Sequence, residues 1–199
     1  MIKVIIFDVD GVLIPEKRRF SLTLEKDYGI SLEKSLEFFN GPFQECLVGN
    51  LDLKESIHPY LAKWGWSKGV EALLDIWFKL ERDLDKELIK YVNELREEGV
   101  LCFLATNNEK HRFQYLLREV GLENTFDGAY SSASLGCKKP SNEFFQKIFD
   151  ELKDVQKNEV LFVDDSAENI EGAKNFGINT EFYTSIENLK EKILFFNNN

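Results

Sequence analysis

Apolar positions along this chain follow two rhythms. Residues 3–7 form a short continuous apolar run, the pattern of a strand buried on both faces of a parallel sheet. The next comparable run, 100–105, comes some way downstream, and from there strand and helix patterns alternate. Asp85 predicts a helix N-cap, followed by Leu88, Ile89, Val92 and Leu95 at helical spacing, with Gly99 as the stop. The stretch 110–120 carries Phe113, Leu116, Leu117 and Val120 on one helix face, closed by Gly121. Residues 127–131 read as a weaker strand. Ser141 predicts a cap for a helix with Phe144, Phe145, Ile148, Phe149 and Leu152 inside. A strand over 160–163 follows, then a helix from the cap Ser166 to Phe176 and Gly177, and a last strand over 179–183.

Alternating strands and helices imply a parallel α/β sheet covered by helices on both faces. Residues 14–84 break that rhythm. They read as short helices at 21–28, 32–39, 53–64 and 68–82, punctuated by Gly41-Pro42, Gly49-Asn50 and Gly65, with no strand pattern. The expected organisation is an α/β core from 1–13 and 85–199, with a helical insertion over 14–84. Trp64, Trp66 and Trp77 fall in the insertion, where packing of a small helical unit is the favoured role. The three-asparagine end is expected to fray.

With 199 residues, 43% hydrophobic and 30% charged, the chain has an ordinary globular balance. No apolar run approaches the roughly 20 residues needed to span a bilayer, and the N-terminal apolar run is too short for a signal peptide. Those readings place the protein in the cytoplasm, away from membranes. The net charge of −10 argues against a nucleic-acid polymer as partner. An anionic substrate then needs local positive charge, such as a divalent cation and a well-placed lysine. Cys46, Cys102 and Cys137 are odd in number and widely spaced, which speaks against disulfides and zinc. Cys102 reads as a small core residue. His58 and His111 are too far apart in sequence to suggest a histidine metal site.

The chemistry gathers where the strands end. The first strand runs into Asp8-Val9-Asp10, the second into Thr106-Asn107-Asn108, the segment after the third into Lys138-Lys139-Pro140, and the fourth into Asp164-Asp165-Ser166. In open α/β sheets, ligands bind outside the carboxyl ends of the strands, so these groups are expected to converge. Asp8 and Asp10, two apart, would face the same side of an extended strand, and Gly11 releases the chain into a turn. Several carboxylates in one cleft repel each other unless a cation lies among them. An all-oxygen set at a phosphate site suits Mg2+. Thr106 and the N–H groups after it suit a phosphate, Lys139 is a point cation, and aspartate is a covalent nucleophile in phosphoryl transfer. Lys138 reads as a solvated neighbour, Asp164 as a cap or supporting group, and Asn108 as a secondary candidate for substrate contact.

The run Phe7-Asp8-Val9-Asp10-Gly11-Val12-Leu13, the segment Ala105-Thr106-Asn107, the segment Gly136-Cys137-Lys138-Lys139-Pro140 and the run Leu161-Phe162-Val163-Asp164-Asp165-Ser166 occur in this order on successive strand ends. Together they resemble the haloacid dehalogenase superfamily of hydrolases, in its phosphatase branch with a small helical cap. The stretch from Glu168 to Gly177 also resembles the family's following helix. The resemblance implies a Rossmann-like three-layer α/β/α core and a cap over 14–84. It implies Asp8 as the nucleophile that becomes an aspartyl phosphate, Asp10 as acid and then base, and Thr106, Asn107 and Lys139 on the phosphoryl group. It implies Mg2+ held by the Asp8 side chain, the Asp10 backbone carbonyl and the Asp165 side chain, with Asp164 in support. Dehalogenases of the superfamily lack an acid at the position of Asp10, so phosphate-ester chemistry is expected.

A phosphoacceptor signalling module also uses an aspartate, a threonine and a lysine on a parallel sheet, but places its acceptor on a later strand. A sugar phosphomutase and a non-catalytic binding relative remain alternatives. A small phosphorylated metabolite, either a sugar phosphate or a nucleotide monophosphate, is the expected substrate. Glu16-Lys17-Arg18-Arg19 and Phe43-Gln44-Glu45 are the stretches expected to select it.

Overall fold

Strand β1 (Val4–Phe7) is buried at every position because its alternating side chains enter two separate cores. Ile5 and Phe7 go to one core, Val4 and Ile6 to the other. The same division recurs along the fourth strand, where Leu161 and Val163 join the first core, and Val160 and Phe162 the second. A continuous apolar run is therefore what a central strand needs. A computed structural model describes residues 1–15 and 20–198. The stretch Glu16-Lys17-Arg18-Arg19 lies outside the described residues.

After β1 come helices α1 (Phe20–Tyr28), α2 (Leu32–Phe39), α3 (Pro42–Leu47), α4 (Leu53–Trp64) and α5 (Gly69–Leu80). Then follow α6 (Lys86–Glu97), β2 (Leu101–Thr106), α7 (Lys110–Arg118), β3 (Gly128–Ser131), α8 (Ser132–Leu135) and α9 (Asn142–Glu151). The chain continues through β4 (Val160–Asp164), α10 (Ala167–Phe176), β5 (Asn179–Phe182) and α11 (Ile186–Asn198). The strands form one parallel sheet in the order β3-β2-β1-β4-β5. Leu88, Val92 and Leu95 of α6, Leu116 of α7, and Leu189 and Ile193 of α11 cover one face. Phe144, Phe145 and Ile148 of α9 and Ile170, Ala173 and Phe176 of α10 cover the other. This is the parallel α/β sheet that the alternation implied. Among the described residues, no helix is long and apolar enough to cross a membrane.

The expected caps are in place. Asp85 accepts from Glu87 N and Leu88 N, Ser141 from Phe144 N, and Ser166 from Asn169 N. Several elements depart from the pattern, the unexpected short helix α8 among them. Gly41-Pro42 is more than punctuation: Gly41 caps α3 and Pro42 begins it, where a missing N–H costs nothing. Helix α11 occupies the tail and buries Leu189 and Ile193, although its asparagine-rich end hid the period. Helix α7 stops at Arg118, short of the expected residue 120.

Helices α1 to α5 bury a third cluster of their own. It is built from Phe20, Leu24, Phe38, Leu53, Ile57, Leu73, the three tryptophans and their neighbours. Phe20 stacks on Trp77 at 5.0 Å, and Phe38 meets Phe39, Phe43, Tyr60 and Trp64. The tryptophans are thus packing residues, as expected. Cys102 is likewise a buried core residue, its thiol pushed up to about 12 by burial.

Candidate active site

The sheet changes direction at β1: the chain builds outward through β2 and β3, then returns to the other side for β4 and β5. The crevice of such a sheet opens at that reversal. Asp8 directly follows β1 and donates its N–H to Val163 O at 2.9 Å, so it lies against the end of β4, where Asp164 stands. Thr106 ends β2, and the Lys139-Pro140 bond, which is cis, lies in the loop before α9.

A single ammonium ties these strand ends together. Lys139 Nζ lies 2.8 Å from Asp8 Oδ1 and 2.7 Å from Asp164 Oδ2, with its side chain 1% exposed. Its backbone is clamped at both ends by one side chain: Asn107 Oδ1 accepts from Lys139 N at 2.9 Å, and Asn107 Nδ2 donates to Lys139 O at 3.2 Å. The side-chain amide of Asn107 therefore holds Lys139 in place, with one N–H of its amide nitrogen and the backbone N–H still able to meet a ligand. Asp164 is fully buried, and its oxygens also accept from Ser166 N and Asn169 Nδ2. Helix α10 crosses the Lys139-Pro140 loop so closely that a Cβ on Gly172 would sit 2.4 Å from Pro140 O.

Asp8, Asp164 and Asp165 each offer a carboxylate oxygen, all within 4.8 Å of one another. Asp165 folds over the turn after β1, where Gly11 has φ +86°. A Cβ there would lie 1.9 Å from Asp165 Oδ2, and the positive φ strains any other residue, so glycine is strongly favoured. Burial pushes the Asp8 carboxyl up to about 7, although Lys139 pulls it down; Asp164 adds to the rise. Burial also works against the Lys139 ammonium, but Asp8 and Asp164 outweigh it and hold Lys139 above its ordinary pKa. The Asp8 shift is mainly the cost of burying its charge, and the Lys139 shift is the pull of two carboxylates on one ammonium. The donor set is oxygen only and has an exposed member in Asp165, which fits a hard divalent cation.

Asp10 is positioned by a turn rather than by the strand. The strand has ended by then, and the turn places it: Gly11 N donates to Ile14 O and Ile14 N to Val9 O. Strand alternation therefore does not pair Asp10 with Asp8. Asp10 stays near enough to Asp8 to add to the rise of its carboxyl, and it also joins a second group. Asn108 Nδ2 donates to Asp10 Oδ2 at 2.9 Å and to Thr106 Oγ1 at 2.7 Å, and Arg112 Nη2 bonds Asp10 Oδ1. Arg112 Nε donates to Asn108 Oδ1 at 2.9 Å, and Nη1 pairs with Glu81 Oε2 at 3.1 Å. Burial raises the Glu81 carboxyl against the lowering pull of Arg112.

Sequence reading missed Arg112 and Glu81. The one available signal was spacing: Arg112 is four residues after Asn108, where a helix entrance brings i and i+4 together. Lys138 is also corrected. It is half-buried rather than fully solvated, and its Nζ donates to Gln44 Oε1 at 2.7 Å, reaching one of the stretches expected to select substrate. His58 is an exposed residue of α4. His111 is in α7, with Nε2 2.8 Å from Asp52 Oδ2.

Residues 2–177 match the haloacid dehalogenase-like hydrolase family. The chain is 34% identical over 95 residues to the sesquiterpene phosphatase astK of Aspergillus oryzae, covering 47% of each chain. It is 27% identical over 190 residues to the D-ribitol-5-phosphate phosphatase of Bacteroides thetaiotaomicron, covering 90% of this chain and 91% of that one. The chain spans under half the length of the first curated relatives it matches. A HAD family enzyme of Bacteroides thetaiotaomicron, solved with magnesium and inorganic phosphate, superposes with a TM-score of 0.80 at 21% identity, covering 94% of this chain and 96% of that one.

Proposed function

The chain belongs to the haloacid dehalogenase-like hydrolase family, and from that premise we propose that it is a Mg2+-dependent phosphomonoesterase working through an aspartyl phosphate on Asp8. The observation that carries this reading is the Lys139 ammonium held between Asp8 and Asp164 at the ends of adjacent strands. It aims one oxygen of Asp8 and places a cation where a phosphoryl group arrives.

In the first half-reaction an Asp8 oxygen attacks phosphorus, the ester P–O bond breaks, and Asp10 gives its proton to the departing alkoxide. In the second, the Asp10 carboxylate takes a proton from water, the water oxygen attacks phosphorus, and Asp8 is released with inorganic phosphate. Lys139 has three N–H donors; two serve Asp8 and Asp164, and the third is assigned to a phosphoryl oxygen. Thr106 and the N–H of Asn107 are assigned to the others. Asp8, the backbone carbonyl of Asp10 and Asp165 would hold Mg2+, with Asp164 in support because Lys139, Ser166 and Asn169 already use its oxygens. The bound ion supplies charge neutralisation for the phosphoryl group. That the structurally similar Bacteroides enzyme was solved with magnesium and inorganic phosphate supports Mg2+ and a phosphate as the ligands of this site.

Helices α1 to α5, within 14–84, are assigned as a cap over the strand ends. A small sugar or polyol phosphate is the proposed substrate, supported by the nearly full-length alignment with the D-ribitol-5-phosphate phosphatase. A phosphate-release screen over small esters, with and without Mg2+, tests the reading beside Asp8→Asn. Release that needs Mg2+ and vanishes in Asp8→Asn is expected. Wild-type rates in that variant would overturn the mechanism, and isomer formation in place of phosphate release would replace it with a mutase.

A further inference from the structure

We propose that Arg112 is a positioning residue that fixes the carboxyl group of Asp10 for proton transfer to the leaving group. The inference rests on the phosphatase reading above and adds a residue to it.

The two partners differ sharply in burial. The side chain of Arg112 is 3% exposed, whereas that of Asp10 is 48% exposed. An aspartate this open to water normally samples several rotamers, and ordering it costs side-chain entropy. Here both of its oxygens are held. Arg112 Nη2 takes Oδ1, and Asn108 Nδ2 takes Oδ2 at 2.9 Å. The two donors are themselves locked, since Arg112 Nε donates to Asn108 Oδ1 at 2.9 Å. A planar guanidinium reaches all these acceptors at once; a lysine ammonium on a flexible stem does not.

The charge of Arg112 already has a half-buried counterion in Glu81 at 3.1 Å, and Nη1 also donates to the Glu81 carbonyl at 3.3 Å. Neutralisation of Arg112 therefore does not require Asp10. Glu81 in turn is held by Phe20 N at 3.0 Å and by Trp77 Nε1 at 2.8 Å, at the two ends of the helical region. The fork is anchored from behind and presents its remaining edge to Asp10.

A test follows from what a proton donor does. General acid–base catalysis contributes about 10²–10⁴-fold, and the acid matters most when the leaving group is poor. The second-order constant kcat/KM reports only the steps through loss of that group. Arg112→Lys is therefore compared with wild type on phenyl phosphate, whose phenoxide leaves poorly, and on 2,4-dinitrophenyl phosphate, whose phenoxide leaves without help. The expected result is a fall of about tenfold or more in kcat/KM on the first, and under about threefold on the second. In an Asp10→Asn background, Arg112→Lys should add little on phenyl phosphate, because residues acting as a unit are not additive.

Equal losses on both esters, or an undiminished further loss in the Asp10→Asn background, would show a merely structural arginine and overturn the proposal. Where Arg112→Lys fails to fold by circular dichroism, Glu81→Gln reads the same ratio from behind the fork. It should shift that ratio in the same direction, and an unchanged ratio in a folded Glu81→Gln protein overturns the proposal equally. If wild type releases no phosphate from either ester with Mg2+, or Asp8→Asn keeps full activity, the phosphatase reading falls instead. Those results are distinct from any Arg112 outcome.

Discussion

The ends of β1 and β4 and the interior of the helical region are built from opposite materials. Around Lys139, buried charges face each other and are held by hydrogen bonds from Asn107, Ser166 and Asn169. Around Phe38, rings meet rings and almost nothing is charged. Buried ion pairs give little net stability, because desolvation offsets their attraction, whereas aromatic burial is strongly stabilising. The first region should therefore govern chemistry at little benefit to stability, and the second should govern stability with little effect on chemistry.

The harshest challenge to that division is Lys139→Met. Removing the ammonium leaves Asp8 and Asp164 buried without their partner. Turnover is expected to fall by about 10³-fold or more, and stability by about 3–5 kcal/mol, read by phosphate release and denaturant unfolding. Asp8→Asn sharpens it from the other side: activity should be lost while the melting temperature holds or rises, because a buried, crowded carboxyl has become neutral. A lower melting temperature would count against the division.

Phe38→Ala tests the aromatic region. It should cost about 3–5 kcal/mol of stability, while kcat of the folded protein stays within about threefold of wild type. A kcat loss matching that of Lys139→Met would erase the contrast.

The effect of Mg2+ on stability should depend on pH. The Asp8 carboxyl rises from 3.8 to about 7 in the folded chain. The native state therefore binds a proton that the unfolded chain releases, and this group's contribution to stability falls as pH rises between those values. Mg2+ competes with that proton, so its stabilising effect should be larger near pH ~8 than near pH ~5. Thermal melts with and without Mg2+ at both values check the sign, and a larger gain in acid would refute it.

Two smaller changes probe how the regions meet. Gly49 has φ +75°, and a Cβ there would lie 2.4 Å from Ala133 O in α8. Gly49→Ala should cost about 1–3 kcal/mol and raise KM more than it lowers kcat. Lys138→Ala removes one bond to Gln44. It should change stability by about 1 kcal/mol or less, with a shift in KM of a fewfold in steady-state assays.

Local rules made much of this protein legible in one dimension. The unbroken apolar run over 3–7 announced a strand buried on both faces, and its two-residue period is why Val4 and Ile6 enter one core and Ile5 and Phe7 the other. Asp85, Ser141 and Ser166 announced helix starts because a cap bonds N–H groups only two or three residues away. The strand-end rule brought Asp8, Thr106, Lys139 and Asp164 to one side of the sheet. Gly11 and Gly172 were less readable, since what excludes a Cβ at each is a distant neighbour, Asp165 or Pro140.

The sequence by itself thus determined the strands, their buried faces and the set of polar groups at their ends. Tertiary structure decided which of those groups hold one another. It turned the Asn107 side chain onto Lys139, drew Lys138 to Gln44, and brought Arg112 to Asp10 from 102 residues away and to Glu81 from 31 away. Such pairings follow no period. They exist because packing removes water from Arg112 and part of it from Glu81, and a group that loses water must take whatever charge or hydrogen-bond partner the fold sets beside it.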